Sequence, residues 1–141
     1  MKNEIYPCLW FDGNAKAAAD FYLTVFKNAK ITTDSPMVVM FELNGHKFMG
    51  LNGGPQFKFD EAVSFVINCD SQEEIDYYWN KLTADGGQES MCGWLKDKFG
   101  VSWQVIPANI GKLFSDPERA QRVMPVLMTM KKLDMKKLEE A

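Results

Sequence analysis

Apolar positions along this chain switch between a period of two and a period near 3.6, and the switches fall at turn residues. Ile5 to Phe11 is apolar and aromatic and stops at Asp12-Gly13-Asn14, where Asn14 can cap a helix. Ala18, Phe21, Tyr22 and Val25 then recur at helical spacing, which predicts a helix from Ala15 to Phe26 closed by Lys27-Asn28-Ala29-Lys30. Ile31 to Thr33 can add a short strand. Met37 to Leu43 alternates: Val39, Phe41 and Leu43 share one face, Val38, Met40 and Glu42 the other. Asn44-Gly45 signals a tight hairpin, and His46 to Leu51 is the returning strand.

The plan then repeats. Val63 to Cys69 reads as a strand ending at Asp70. Ser71 and Glu74 form a capping box, and Ile75, Tyr78, Trp79 and Leu82 mark one face of the helix that follows. Asp85-Gly86-Gly87 ends that helix. Cys92 to Leu95, a turn at Lys96 to Gly100, and a strand from Val101 to Ile106 closed by Pro107 complete the second half. Asp20-Phe21-Tyr22 aligns with Asp76-Tyr77-Tyr78, and Gly45 to Gly50 with Gly100 to Val105, a spacing of about 55 residues that reads as duplication. Beyond Pro107, Ser115-Asp116-Pro117-Glu118 opens a helix through Ala120, Val123, Met124, Leu127 and Met128, which Pro125 should kink or interrupt. Asp134 caps a final short helix carrying Met135 and Leu138. The expected organisation is a single domain over 1–141, with module one over residues 5–54, module two over 63–107 and C-terminal helices over 115–140.

Composition removes whole classes of function. At 141 residues, 46% hydrophobic and 25% charged, the chain suits one soluble domain with a real core. A net charge of -3 without a long block of one sign offers no basic surface, so no nucleic-acid partner is expected. The apolar runs are too short to span a bilayer and no apolar leader follows Met1-Lys2-Asn3-Glu4, so no membrane partner is expected and the location is read as cytoplasmic. Cys8, Cys69 and Cys92 are widely spaced and odd in number, which fits reduced thiols.

Leu9-Trp10-Phe11-Asp12-Gly13, Leu51-Asn52-Gly53-Gly54-Pro55, the run from Cys92 to Gly100 (Cys-Gly-Trp-Leu-Lys-Asp-Lys-Phe-Gly), Trp103-Gln104 and Lys132-Leu133-Asp134 together resemble the PhnB-like branch of the glyoxalase, or vicinal oxygen chelate, superfamily. Members of that branch often bear the label 3-demethylubiquinone-9 3-methyltransferase. The resemblance implies an α+β fold of duplicated βαβββ modules whose curved sheets enclose a pocket, extended by C-terminal helices, and commonly a homodimer. An apolar stripe of Met124, Leu127, Met128 and Met130 offers either a dimer contact or a core role.

Metal-using members of the superfamily hold a divalent ion with His, Gln or Glu from the first and last strands of each module. Those positions fall here at Ile5 or Pro7, at Met49, at Ser64 or Phe65, and at Gln104, and only Gln104 has a ligand atom of that kind. No metal and no cofactor are therefore expected. His46, the one histidine, sits at the hairpin and reads as exposed; Cys8 and Cys69 read as core thiols, with Cys92 nearer a pocket. Glu42 shares its face with Val38 and Met40, so it is the candidate general base if that face is closed, and a solvated edge carboxylate if not. Asp97 and Lys96 read as solvated or structural turn residues.

Leu51-Asn52-Gly53-Gly54 lacks the spacing of phosphate-binding loops and is read as a turn, with Asn52 a candidate pocket amide. The main expectation is a metal-independent protein that binds a small-molecule ligand through Trp10, Phe11, Glu42, Met49, Asn52, Phe65, Trp94 and Gln104. The alternative is an enzyme, either the methyltransferase of the label or a metal-assisted isomerase, lyase or dioxygenase. Antiparallel hairpin signals argue against the open parallel sheet that usually binds S-adenosylmethionine.

Overall fold

The computed structural model describes residues 2–141, which fall into two compact units divided between Phe59 and Asp60. The first contains β1 (Cys8–Phe11), α1 (Ala15–Val25), β2 (Ala29–Asp34), β3 (Val38–Leu43) and β4 (His46–Asn52). Its sheet runs β1-β4-β3-β2, with β1 parallel to β4 and the other pairs antiparallel. Alternation decides what lies under the helix. Leu9, Phe11, Val39, Phe41, Leu43 and Phe48 are buried with Ala15, Ala18, Ala19, Tyr22 and Val25 of α1. Phe41 and Phe48, register partners, stack at 5.4 Å, and Gly50 leaves room for the Ala15 methyl, 3.3 Å from where a Cβ would stand. The β3–β4 hairpin turns through Asn44 (φ 51°) and Gly45 (φ 84°), the left-handed pair the sequence signals.

The second unit repeats the connectivity with β5 (Ser64–Cys69), α2 (Gln72–Thr83), β6 (Gln88–Glu89), β7 (Trp94–Lys96) and β8 (Ser102–Pro107), in the order β5-β8-β7-β6. Ser71 accepts from the Glu74 N–H, and the Glu74 carboxylate reaches back to the Asp70 N–H at 2.6 Å, closing the expected capping box one residue early. Ile75, Trp79 and Leu82 bury against the sheet side that carries Leu95, Trp103 and Val105.

Three short helices follow: α3 (Ile110–Leu113), α4 (Pro117–Leu127) and α5 (Met135–Glu140). Leu113, Val123, Met130, Leu133 and Leu138 form a satellite core around Ile106 at the end of β8. Asp116 rather than Ser115 caps α4, and α4 continues two residues past Pro125. The apolar stripe divides: Met130 is buried and Leu127 packs on the satellite core, whereas Met124 and Met128 are exposed. No helix among the described residues is long and apolar enough to cross a membrane.

Candidate functional site

Each sheet keeps one face under its helix and leaves the other without a helix of its own across its centre. On the open face of the first sheet, register sorts the side chains into three rows. Lys30, Glu42 and Lys47 stand side by side nearest the hairpin; Met40, Met49 and Cys8 form the middle row; Val38, Leu51 and Trp10 form the third. Charge therefore gives way to sulfur and then to aliphatic and aromatic carbon across the face.

The charged row changes the reading of Glu42. Its register neighbours are two lysines, so it lies between cations rather than alone on an apolar surface. Lys47 donates to Glu4 at 2.6 Å and sits 5.1 Å from the Tyr6 ring centroid. That hydrogen-bonded ion pair holds the Glu4 carboxyl below its ordinary range and the Lys47 ammonium above it.

Trp10 closes the apolar end. Its indole N–H donates to the Gly54 carbonyl at 2.8 Å, and Phe57 meets the ring edge-on at 4.9 Å. Gly53 is obligatory beneath it, since a Cβ there would lie 2.3 Å from the indole. Phe11 points the other way, buried under α1 and edge-on to Phe59 at 5.3 Å. Asn52 is occupied: its Oδ1 accepts from the Ala15 N–H at 2.9 Å and its Nδ2 donates to the Pro36 carbonyl at 2.9 Å. It thus caps α1 in place of Asn14, whose side chain makes no capping bond. His46 is exposed at the hairpin. Cys8, expected in the core, is exposed on the open face, because β1 begins there and the alternation sends Leu9 inward instead; partial desolvation raises its thiol pKa.

On the open face of the second sheet the middle row is Trp94, Gln104 and Val66, beside Lys96, Ser102 and Ser64. Gln104 donates to the Ser64 hydroxyl at 2.9 Å. Phe65 is on the opposite face with Trp103, ring centroids 5.5 Å apart, so it does not share a surface with Gln104 or Trp94. Asp97, read from sequence as solvated or structural, is buried and structural. Its Oδ1 accepts from the Phe99 and Val101 N–H groups and its Oδ2 from the Trp103 indole at 2.9 Å, which fixes the β7–β8 turn. Cys69 is sealed under the helix, and burial pushes its thiol up to about 12. Cys92 is half-buried, its Sγ 3.8 Å from the Met128 sulfur.

A cleft of about 460 Å³ lined by Gln72, Asp76, Thr129, Lys132, Asp134 and Lys137 has no local signal in the sequence, because it joins α2 to the α4–α5 connection across 61 and 63 positions at its two Gln72 hydrogen bonds. Gln72 donates to the Leu133 carbonyl and accepts from the Met135 N–H across it. Lys132 pairs with Asp76 at 2.8 Å and, with Gln72, holds that carboxyl below its ordinary range.

The metal positions of the superfamily can be tested on chemistry. Register sets Cys8, rather than Ile5 or Pro7, beside Met49, and Val66, rather than Ser64 or Phe65, beside Gln104. Ser64 contributes a hydroxyl bonded to the Gln104 amide and Phe65 lies on the other face, so the donors are a thiol, a thioether, a hydroxyl and a neutral amide. Ile5 and Pro7 precede β1. This donor set does not fit a hard divalent ion, which needs several oxygen or imidazole ligands. Among the described residues no three His, Cys, Asp or Glu side chains converge.

Paired βαβββ units of this strand order make the fold that of the glyoxalase superfamily. A glyoxalase-related enzyme from Fulvimarina pelagi shares it with a TM-score of 0.55 at 17% identity, covering 73% of this chain and 86% of that one. So does the fosfomycin resistance protein FosX of Listeria monocytogenes, in complex with Mn(II) and sulfate, with a TM-score of 0.56 at 18% identity over 86% of this chain and 98% of that one. The PhnB protein of Bacillus cereus, described as a 3-demethylubiquinone-9 3-methyltransferase, is 32% identical over 75% of this chain and 100% of its own, with a TM-score of 0.67. The family model described as 3-demethylubiquinone-9 3-methyltransferase matches residues 3–106, and the chain belongs to that family. No curated protein sequence matches it.

Proposed function

We propose that the protein binds a small organic molecule with an apolar body and a polar end, without help from a hard divalent ion, on the open face of the first sheet. The observation that carries this reading is the ordering of rows there: Val38, Leu51 and Trp10 for the body, Met40 and Met49 as adaptable lining, and the Lys30, Glu42 and Lys47 row for the polar end. Trp94 and Gln104 give the second sheet a comparable pairing of aromatic surface and amide. Binding is favoured over turnover because Glu42 is flanked by cations and His46 stands at the exposed hairpin, so neither pairs with a nucleophile. The exposed Met124 and Met128 support self-association as a homodimer, and the composition suits the cytoplasm.

The test uses 1-anilinonaphthalene-8-sulfonate, an apolar aromatic body with an anionic end, titrated while tryptophan emission is followed. Saturable quenching is expected, unchanged by EDTA and weakened about tenfold by Leu51→Glu, the effect of one charge on an apolar contact surface. Quenching that EDTA abolishes, or that Leu51→Glu leaves intact, would overturn the reading.

A further inference from the structure

We propose that Cys8, Met49 and Met40 form a binding site for a soft monovalent cation, Cu(I) or Ag(I). The three residues lie on adjacent strands β1, β4 and β3 and are consecutive register partners: Cys8 opposite Met49, Met49 opposite Met40. All three project from the open face, because the alternating neighbours Leu9, Phe48, Gly50, Val39 and Phe41 are buried. Neighbouring strands lie about 4.8 Å apart, so three sulfur arms leave the sheet from points within about 10 Å. Methionine has three rotatable bonds and can swing its sulfur toward a common centre. Among the described residues four strand positions bear sulfur, Cys8, Met40, Met49 and Cys69, and three of them stand in this one row.

The chemistry selects the ion. A thiolate and two thioethers are soft donors that favour Cu(I), whereas Mg, Ca and Mn prefer oxygen. Cys8 is exposed, so its thiol proton can leave to solvent as the metal–sulfur bond forms. The proposal does not depend on the organic ligand: failure of the naphthalene probe would leave it standing, and the reverse holds too.

A competing pair exists in the second unit, where the Cys92 and Met128 sulfurs are 3.8 Å apart, and it serves as the internal control. Reduced protein is titrated anaerobically with Cu(I) against bicinchoninate as a coloured competitor, with Zn(II) and Mn(II) in parallel. One equivalent of Cu(I) is expected, with far weaker retention of either divalent ion. Cys8→Ser should lower Cu(I) affinity by about 100-fold or more, and Met40→Leu and Met49→Leu each by about tenfold or more, since loss of a partner that merely orients a metal ligand already costs about 10- to 100-fold. The double variant Cys92→Ser with Met128→Leu should bind as the parent does. Circular dichroism confirms that each variant is folded; Ag(I) binding followed by isothermal calorimetry provides a second readout. Equal affinity in Cys8→Ser, methionine variants without effect, or loss confined to the Cys92 and Met128 double variant would each overturn the assignment.

Discussion

The two sheets have the same strand order, the same helix placement and a middle row set by the same register, yet they fill that row with different chemistry. The first carries Met40, Met49 and Cys8; the second carries Trp94, Gln104 and Val66. Their hairpin ends differ as well. The β3–β4 turn needs only two left-handed residues, Asn44 and Gly45, whereas the β7–β8 turn is built around the buried carboxylate of Asp97. Duplication therefore preserved backbone geometry through two unrelated devices, one conformational and one electrostatic, and left the open faces to diverge.

That contrast is sharpest at the turns. Asp97→Ala strands three buried or half-buried donors and should cost about 3 kcal/mol, against about 1 kcal/mol for Gly45→Ala, which only strains a positive φ. Urea denaturation of the two variants measures the gap; equal losses would mean that Asp97 does not organise its turn. At the middle rows the effect is smaller. Gln104→Leu removes one amide bond to Ser64 at a half-buried position and should leave the fold intact, changing stability by no more than about 1 kcal/mol in the same assay.

The smallest effect tests the ion pair in the cleft of the second unit. Lys132→Met should let the Asp76 carboxyl return upward toward its ordinary range, read by NMR titration of that side chain. Because the folded pKa is lowered, the pair's contribution is complete above the ordinary carboxylate range and fades as pH falls through the lowered value. Lys132→Met should therefore lower stability slightly at pH 7, where the pair's contribution is complete, and converge with the parent as the Asp76 carboxyl protonates in acid.

Local signals were strong where the chain contacts itself nearby. The Asn44-Gly45 turn, the Ser71 and Glu74 box and the alternation of β3 are all read within a few residues, and the structure has each. The resemblance extended this to both modules and the helical tail. β6 escaped because Gln88-Glu89 holds no apolar residue, and α3 because four residues give no period. The turn position of Asp97 fits a solvated or a structural carboxylate equally well; only the register that brings the Trp103 indole to it decides between the two. The same limit applied to the candidate site, where a one-residue offset moves a side chain to the other face. Phe11 and Phe65 are adjacent in sequence to open-face residues and lie on the helix side of their sheets.

Asn52 joins three segments that would otherwise open independently. Its side chain satisfies the first N–H of α1 and the carbonyl of Pro36, while its own N–H pairs with Met37 at the far end of the sheet. Fraying of the helix start, ordinarily a local and nearly free event, is thereby tied to separation of the last strand residue from the β2–β3 loop. The first turn of α1 should consequently exchange its amide hydrogens on the timescale of the whole unit rather than of a helix end, with one amide side chain serving as the cooperative link.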